Sequence, residues 1–169
     1  SEPYLAEHMR EQNPRPAPLV LMGSEVPFPF TPRPSQIMID DVPSDVNAAM
    51  PLLDDWGIPS RLASHAGFAG CFAGFVTDLA RKVITAADNA DQELEIFACG
   101  PTPMLRAVQA LAKEFQLPAQ LSLEEYMACA VGGCAGCTVR VATDDGPAMK
   151  RVCVDGPVFE AASVEFELE

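Results

Sequence analysis

The stretch LEIFACGPTPMLRAVQALAKEFQLPAQLS, residues 94–122, changes periodicity twice. Leu94–Ala98 has the length and apolar content of a strand, and Cys99-Gly100-Pro101-Thr102-Pro103 breaks it. Met104, Leu105, Val108, Leu111, Ala112 and Phe115 then recur at helical spacing. Thr102 is placed to cap that helix with Pro103 at its first position, Pro118 stops it, and Ala119–Ser122 reads as another strand. Strand, helix and strand joined by short loops predict a parallel pair flanked by the helix. Ligands of such sheets bind beyond the carboxyl ends of the strands, where Cys99, Gly100 and Pro101 stand. On these residues alone Cys99 is either a neighbour of a nucleotide or a buried structural thiol.

The same grammar extends toward the N-terminus. Leu79, Ala80, Val83, Ile84 and Ala87 form one apolar stripe, with Thr77 as the expected cap and Asp78 in a first turn that favours an acid. Leu19–Met22, ending at Gly23, suits a strand buried on both faces. Ile37–Ile39 is a weaker strand candidate, followed by a short helix around Ala48–Asp55 and a strand near Arg61–Ser64. Proline-rich punctuation at 14–18, 27–35 and 40–43 reads as loops between these short elements. Asp40-Asp41 and Asp54-Asp55 read as solvated turns, Cys71 as packing, and His8 and His65 as ordinary loop histidines.

After Ser122 the helical periodicity disappears, and glycine and cysteine become dense. Thr138–Ala142 alternates as a strand, Asp144-Asp145-Gly146 turns, and Met149–Val152 returns. Val164–Leu168 closes the chain as a further strand. The expected division is therefore 1–122 as an α/β module and 123–169 as a small β-rich domain.

Cys129, Cys134, Cys137 and Cys153 read as C-x4-C-x2-C with a fourth cysteine after a hairpin, the plant-type [2Fe–2S] spacing. A two-iron core needs four thiolates, two per iron. Gly132, Gly133 and Gly136 let the loop curl round it and leave N–H groups free to donate to sulfur. Val131 and Val139 are placed to exclude water. Two other readings stand beside it: a zinc site, although only Cys134 and Cys137 make the usual C-x2-C knuckle, and four cysteines acting as small core residues.

The chain has 169 residues, with 11 Lys plus Arg against 24 Asp plus Glu, a formal charge of −13. That balance argues against nucleic acid and against an anionic membrane surface. Hydrophobic residues make up 49 %, enough for a core. No apolar run reaches the ~18–20 residues of a membrane span, and SEPYLAEHMREQ at 1–12 carries no signal segment, so the expected compartment is the cytoplasm. No P-loop, G-x-G-x-x-G or G-x-S-x-G is present.

The segment SLEEYMACAVGGCAGC at 122–137 with RVCVDGPVF at 151–159 resembles the iron–sulfur tail of dihydroorotate dehydrogenase electron transfer subunits. IFACGPTPML at 96–105 is similar to the nicotinamide-binding signature of the ferredoxin reductase superfamily, and GFVTDLA at 74–80 and LVLMGSE at 19–25 fit the same module. The resemblance implies an α/β fold: part of a parallel-sheet nicotinamide-binding module of ferredoxin reductase type, followed by a small [2Fe–2S] domain. It implies Cys129, Cys134, Cys137 and Cys153 as ligands, Cys99, Gly100 and Pro101 on the nicotinamide side, and Asp155–Phe159 as a turn supporting the last ligand. It also implies an electron relay from NADH through FAD and the cluster to an FMN-containing dihydroorotate dehydrogenase subunit, in a hetero-oligomer of pyrimidine biosynthesis.

Three features depart from that family. Ala130 replaces a glycine usual after the first cysteine, and SHAGFAGCF at 64–72 replaces a more polar loop. The flavin-binding barrel with its Arg-x-Tyr-Ser motif and the Gly-rich pyrophosphate turn have no counterpart, so the chain reads as a C-terminal fragment or half of a split subunit. It is expected to begin inside a helix at Tyr4–Glu7, to hold FAD poorly and to bind NAD weakly or not at all. Flavoprotein subunits of NADH-dependent ferredoxin:NADP oxidoreductases share the architecture but typically carry Asp where Cys129 stands. The alternatives are an electron-transfer module of another flavoprotein oxidoreductase and a non-redox, zinc-stabilised interaction domain.

Overall fold

Apolar runs distant in sequence come together first as parallel strands. In the structure, a computed structural model that describes residues 18–40, 42–89, 93–129 and 131–166, the described residues form two units divided between Gln92 and Glu93. The expected helix at Tyr4–Glu7, His8, Asp41, Ala130 and the residues beyond 166 lie outside the described residues.

In the first unit the elements run β1 (Val20–Gly23), β2 (Arg33–Pro34), β3 (Ala48–Ala49), α1 (Pro51–Asp55), β4 (Ser60–Ala63) and α2 (Val76–Asn89). β1 and β4 pair in parallel from Val20↔Ser60 to Gly23↔Ala63, and α2 lies against both. A Cβ on Gly23 would stand 3.0 Å from the Val76 Cβ, so glycine lets the helix begin close to the strand end. Leu79, Ile84 and Ala87 of the expected stripe are buried, and Leu53 and Ile58 pack with Val20, Met22, Met50 and Trp56.

Local chemistry shifts several boundaries here. The helix starts at Val76, before Thr77, because the Asp78 carboxylate accepts the Phe75 N–H at 3.2 Å, half of a capping box. Ile37–Ile39 is not a strand. Ser35 Oγ accepts the Ile37 N–H, the Ile37 carbonyl accepts a bond from Arg61, and Met38 is 82 % exposed. The strand lies instead at Arg33–Pro34, antiparallel to Ala48–Ala49. Those two alanines therefore extend, and Pro51 opens the helix. Asp54-Asp55 is not a solvated turn. Arg33 pairs with Asp55 and lies 3.6 Å from Asp54, whose side chain is 7 % exposed and also accepts the Ser35 hydroxyl.

The second unit runs β5 (Ile96–Cys99), α3 (Thr102–Phe115), β6 (Ala119–Ser122), β7 (Thr138–Thr143), β8 (Gly146–Arg151), α4 (Val152–Asp155), β9 (Val158–Glu160), a 3-10 turn at Ala161–Ser163 and β10 (Val164–Glu165). β5 and β6 are parallel, as the opening stretch predicts, and β9 adds antiparallel to β6. α3 begins one residue early, with Pro101 at the cap position and its carbonyl accepting the Leu105 N–H at 3.1 Å. Proline is tolerated in that first turn, where no intrahelical partner is lost. Gln116 ends the helix in the left-handed region, ahead of Pro118.

β7 and β8 form the expected hairpin from Thr138↔Arg151 to Thr143↔Gly146, with β10 on the free edge of β7. β8 stops at Arg151, so Val152 and Cys153 belong to a short helical turn and not to the strand. Leu105, Val108 and Ala112 of α3 share one core with Leu121, Leu123, Cys137, Val152 and Val164. Gln109 Nε2 donates to the carbonyls of Ala161 at 2.5 Å and Val164 at 2.7 Å, tying α3 to the final turn. The sheet β5–β6–β9 thus contains strands from both sides of Ser122, so the division expected there is one of chemistry laid over a shared core.

Candidate metal centre

The cysteine-rich loop hangs between two fixed points. Upstream, the buried Leu123 donates its N–H to the Pro157 carbonyl at 2.9 Å. Downstream, the Val152 N–H donates to the Cys137 carbonyl at 2.9 Å, next to the Thr138↔Arg151 pair. The hairpin therefore delivers Cys137 and Cys153 to the same place from opposite ends. Their sulfurs lie 3.2 Å apart, Cys137 buried and Cys153 half-buried.

The other two thiols make a second pair. The N–H groups of Val131, Cys134 and Gly133 and the Cys134 thiol act on the Cys129 sulfur and bring its pKa down to about 6. The Cys153 N–H and thiol likewise lower Cys137. Cys153 moves up instead, because it shares a proton with Cys137 and is partly desolvated, while the Gly132 N–H pulls it back. The Gly136 N–H donates to Cys134 Sγ at 3.4 Å. Metal ligation requires thiolates, and convergent N–H groups favour that form.

Four cysteines are the donor set that an iron–sulfur core takes. Cys137 and Cys153 meet as one pair, and the Cys134 thiol acts on Cys129 in the loop.

Glycine serves the loop differently from expectation. Gly132 has φ +79 and Ala135 has φ +53, whereas neither Gly133 nor Gly136 has positive φ. A Cβ on Gly132 would lie 2.5 Å from Val154 Cγ2. Val131 is 82 % exposed and does not exclude water, while Val139 does pack on the core.

Beside the loop, Arg151 had no role expected from the sequence, and Asp155 was expected only as the start of a turn supporting the last ligand. Arg151 Nη1 donates to the Gly132 carbonyl at 2.9 Å. Asp155 Oδ2 accepts the Arg151 N–H at 2.7 Å and lies 3.4 Å from Arg151 Nε. Those contacts hold the Asp155 carboxyl below the usual range, the backbone N–H first. The i,i+4 spacing of opposite charges around Cys153 was the available signal.

Cys99, Gly100 and Pro101 lie at the carboxyl end of β5, with Cys99 beside Ser122 in register and half-buried. In the first unit, Cys71 is half-buried and its thiol is pushed up by desolvation. His65 is exposed and packs edge-on against Phe75 at 4.5 Å.

Residues 124–165 match the family described as the iron–sulfur cluster binding domain of dihydroorotate dehydrogenase B. This chain resembles the C-terminal part of dihydroorotate dehydrogenase electron transfer subunits. The subunit of Caldanaerobacter subterraneus subsp. tengcongensis is 43 % identical over 93 residues, covering 55 % of this chain and 35 % of the relative. That of Bacillus caldolyticus is 51 % identical over 106 residues, covering 62 % and 37 %. The chain thus spans about a third of the length of these curated relatives, from 35 % to 37 %. A solved structure of an NADH-dependent reduced ferredoxin-NADP oxidoreductase, described for flavin-based electron bifurcation, aligns with TM-score 0.53 and 26 % identity. It covers 87 % of this chain and 44 % of that one. The fold is α/β of ferredoxin reductase type with an iron–sulfur domain. No helix among the described residues is long and apolar enough to cross a membrane.

Proposed function

We propose that this chain carries the [2Fe–2S] relay of a dihydroorotate dehydrogenase electron transfer subunit, with Cys129, Cys134, Cys137 and Cys153 as ligands. The observation that carries the proposal is the meeting of Cys137 and Cys153 sulfurs at 3.2 Å, with N–H groups that favour thiolate at Cys129 and Cys137. Cys129 and Cys134 would hold one side of the cluster, and Cys137 and Cys153 the other. A [2Fe–2S] cluster held there supplies one-electron transfer, which links carriers that each store two electrons.

The chain's own residues supply geometry and electrostatics. The hairpin sets Cys137 beside Cys153, and Leu123 pins the start of the segment that leads to Cys129. Cys99, Gly100 and Pro101 are proposed to line the nicotinamide side at the end of β5. Residues 1–122 are read as the partial nicotinamide module and 123–169 as the cluster domain. The electrons would pass between NADH and FAD on one side and an FMN-containing dihydroorotate dehydrogenase subunit on the other, within a cytoplasmic hetero-oligomer of pyrimidine biosynthesis.

Iron and sulfide analysis of protein purified without oxygen, with electron paramagnetic resonance after dithionite, tests the cluster. Equal amounts of iron and sulfide and a one-electron signal are expected. Stoichiometric zinc without iron overturns the reading. Orotate-dependent reoxidation in the presence of the FMN subunit tests the partner. The alignment with the ferredoxin-NADP oxidoreductase favours a second reading, a module of another flavoprotein oxidoreductase. That reading keeps the cluster and loses the orotate dependence.

A further inference from the structure

The loop is gripped by a side chain that is not itself a ligand. Arg151 closes β8, caps α4 and stands two residues before Cys153. Its Nη1 donates to the Gly132 carbonyl at 2.9 Å, across 19 residues of sequence. Asp155 holds the other end of the same residue, accepting the Arg151 backbone N–H at 2.7 Å and facing Nε at 3.4 Å.

The geometry of one peptide unit gives this contact its consequence. A trans peptide is planar, and its C=O and N–H point in opposite directions. The carbonyl of Gly132 and the N–H of Gly133 belong to the same unit. Arg151 holds the carbonyl end, so the N–H end of the same unit points away from the guanidinium, in the loop between Cys129 and Cys134. Gly132 can present its carbonyl to Arg151 from this turn because it sits at φ +79, which glycine adopts freely. A guanidinium on the carbonyl also polarises the peptide, which makes its N–H a stronger donor.

We propose that Arg151, fixed by Asp155, is a positioning residue that orients and polarises the Gly132–Gly133 peptide toward the sulfurs and so raises the reduction potential of this site. The proposal rests on the [2Fe–2S] reading above. Reduction adds negative charge at the sulfurs. Donor N–H groups and a nearby cation stabilise that charge more than they stabilise the oxidised state. A lysine keeps the charge but lacks the planar fork that meets the carbonyl and Asp155 together.

The test is redox titration of the whole chain as wild type, Arg151→Gln and Arg151→Lys, followed by electron paramagnetic resonance, with iron and sulfide measured on each. Arg151→Gln is expected to keep its iron and to shift the one-electron equilibrium toward the oxidised form on the order of tenfold, or about 59 mV. Arg151→Lys is expected between it and wild type. If Arg151→Gln loses iron, Arg151→Lys decides alone. Wild-type potential in every iron-bearing variant overturns the proposal. Loss of iron from both variants with unchanged circular dichroism also overturns it, since Arg151 would then serve assembly and not tuning. A wild-type protein without iron sinks the cluster reading itself, which the metal analysis reports separately.

Discussion

Gly132→Ala isolates the constraint that shapes the cysteine loop. At φ +79 an alanine pays the left-handed penalty of about 1–2 kcal/mol. Its Cβ would also stand 2.5 Å from Val154 Cγ2 and 3.4 Å from Arg151 Nη1. Overpacking of that kind costs ~1–3 kcal/mol, and Val154 is 51 % exposed, so it can turn away and the lower end applies. The sum is about 2–3 kcal/mol, roughly a 30- to 150-fold loss in any equilibrium that requires the native loop. The assay is iron release to a chelator at equilibrium, with urea unfolding followed by circular dichroism on the same samples. Adding Val154→Ala should recover about 1 kcal/mol, the steric share. Gly133→Ala is the control: nothing lies within 4 Å of its added Cβ and its φ is not positive, so it should stay within ~0.5 kcal/mol of wild type. Gly132→Ala behaving like Gly133→Ala would refute the backbone reasoning. A double variant no better than the single would refute the clash.

Cys134→Ser should abolish bound iron and loosen residues 123–159 while α3 at Thr102–Phe115 stays formed, read by metal analysis and far-ultraviolet circular dichroism; retained iron contradicts the ligand assignment. In metal-free protein, alkylation of Cys129 followed by mass spectrometry should rise with a midpoint near pH 6. The sign follows from a folded pKa below the ordinary thiol value of 9.0: the stabilisation is complete above that value and is lost as pH falls through about 6. A midpoint at the ordinary thiol value would show that the N–H groups do not act on Cys129. Gln109→Leu removes both donors to the Ala161 and Val164 carbonyls and should cost about 2–6 kcal/mol in urea unfolding, at ~1–3 kcal/mol for each stranded acceptor. A loss under ~0.5 kcal/mol would show that water replaces those bonds.

Elements written by short-range pattern were legible. The α3 stripe placed Leu105, Val108, Leu111 and Ala112 in the core, because helical spacing alone decides which side chains share a face. β6 at Ala119–Ser122 and the hairpin turn at Asp144-Asp145 were legible for the same reason. Ile37–Ile39 misled because apolar content says nothing about whether a pairing edge is free, and its carbonyl is taken by Arg61 from a distant strand. Thr77 and Thr102 misled as caps because a one-residue change of helix start exchanges the cap for the first turn, and Asp78 and Pro101 set those starts.

What the amino-acid order determined by itself was the chemistry at hand: three thiols close in sequence within a glycine loop, a fourth beyond a hairpin, and strand–helix–strand segments ahead of them. Those are properties of spacing and backbone freedom, which act over a few residues. Tertiary structure alone decided that β9 joins β6, that Cys137 meets Cys153 at 3.2 Å, and that Arg151 reaches the Gly132 carbonyl. Each of these needs the hairpin register and the buried core to exist first. Contacts across such separations carry a loop-closure cost that only the assembled core offsets, so no local pattern announces them.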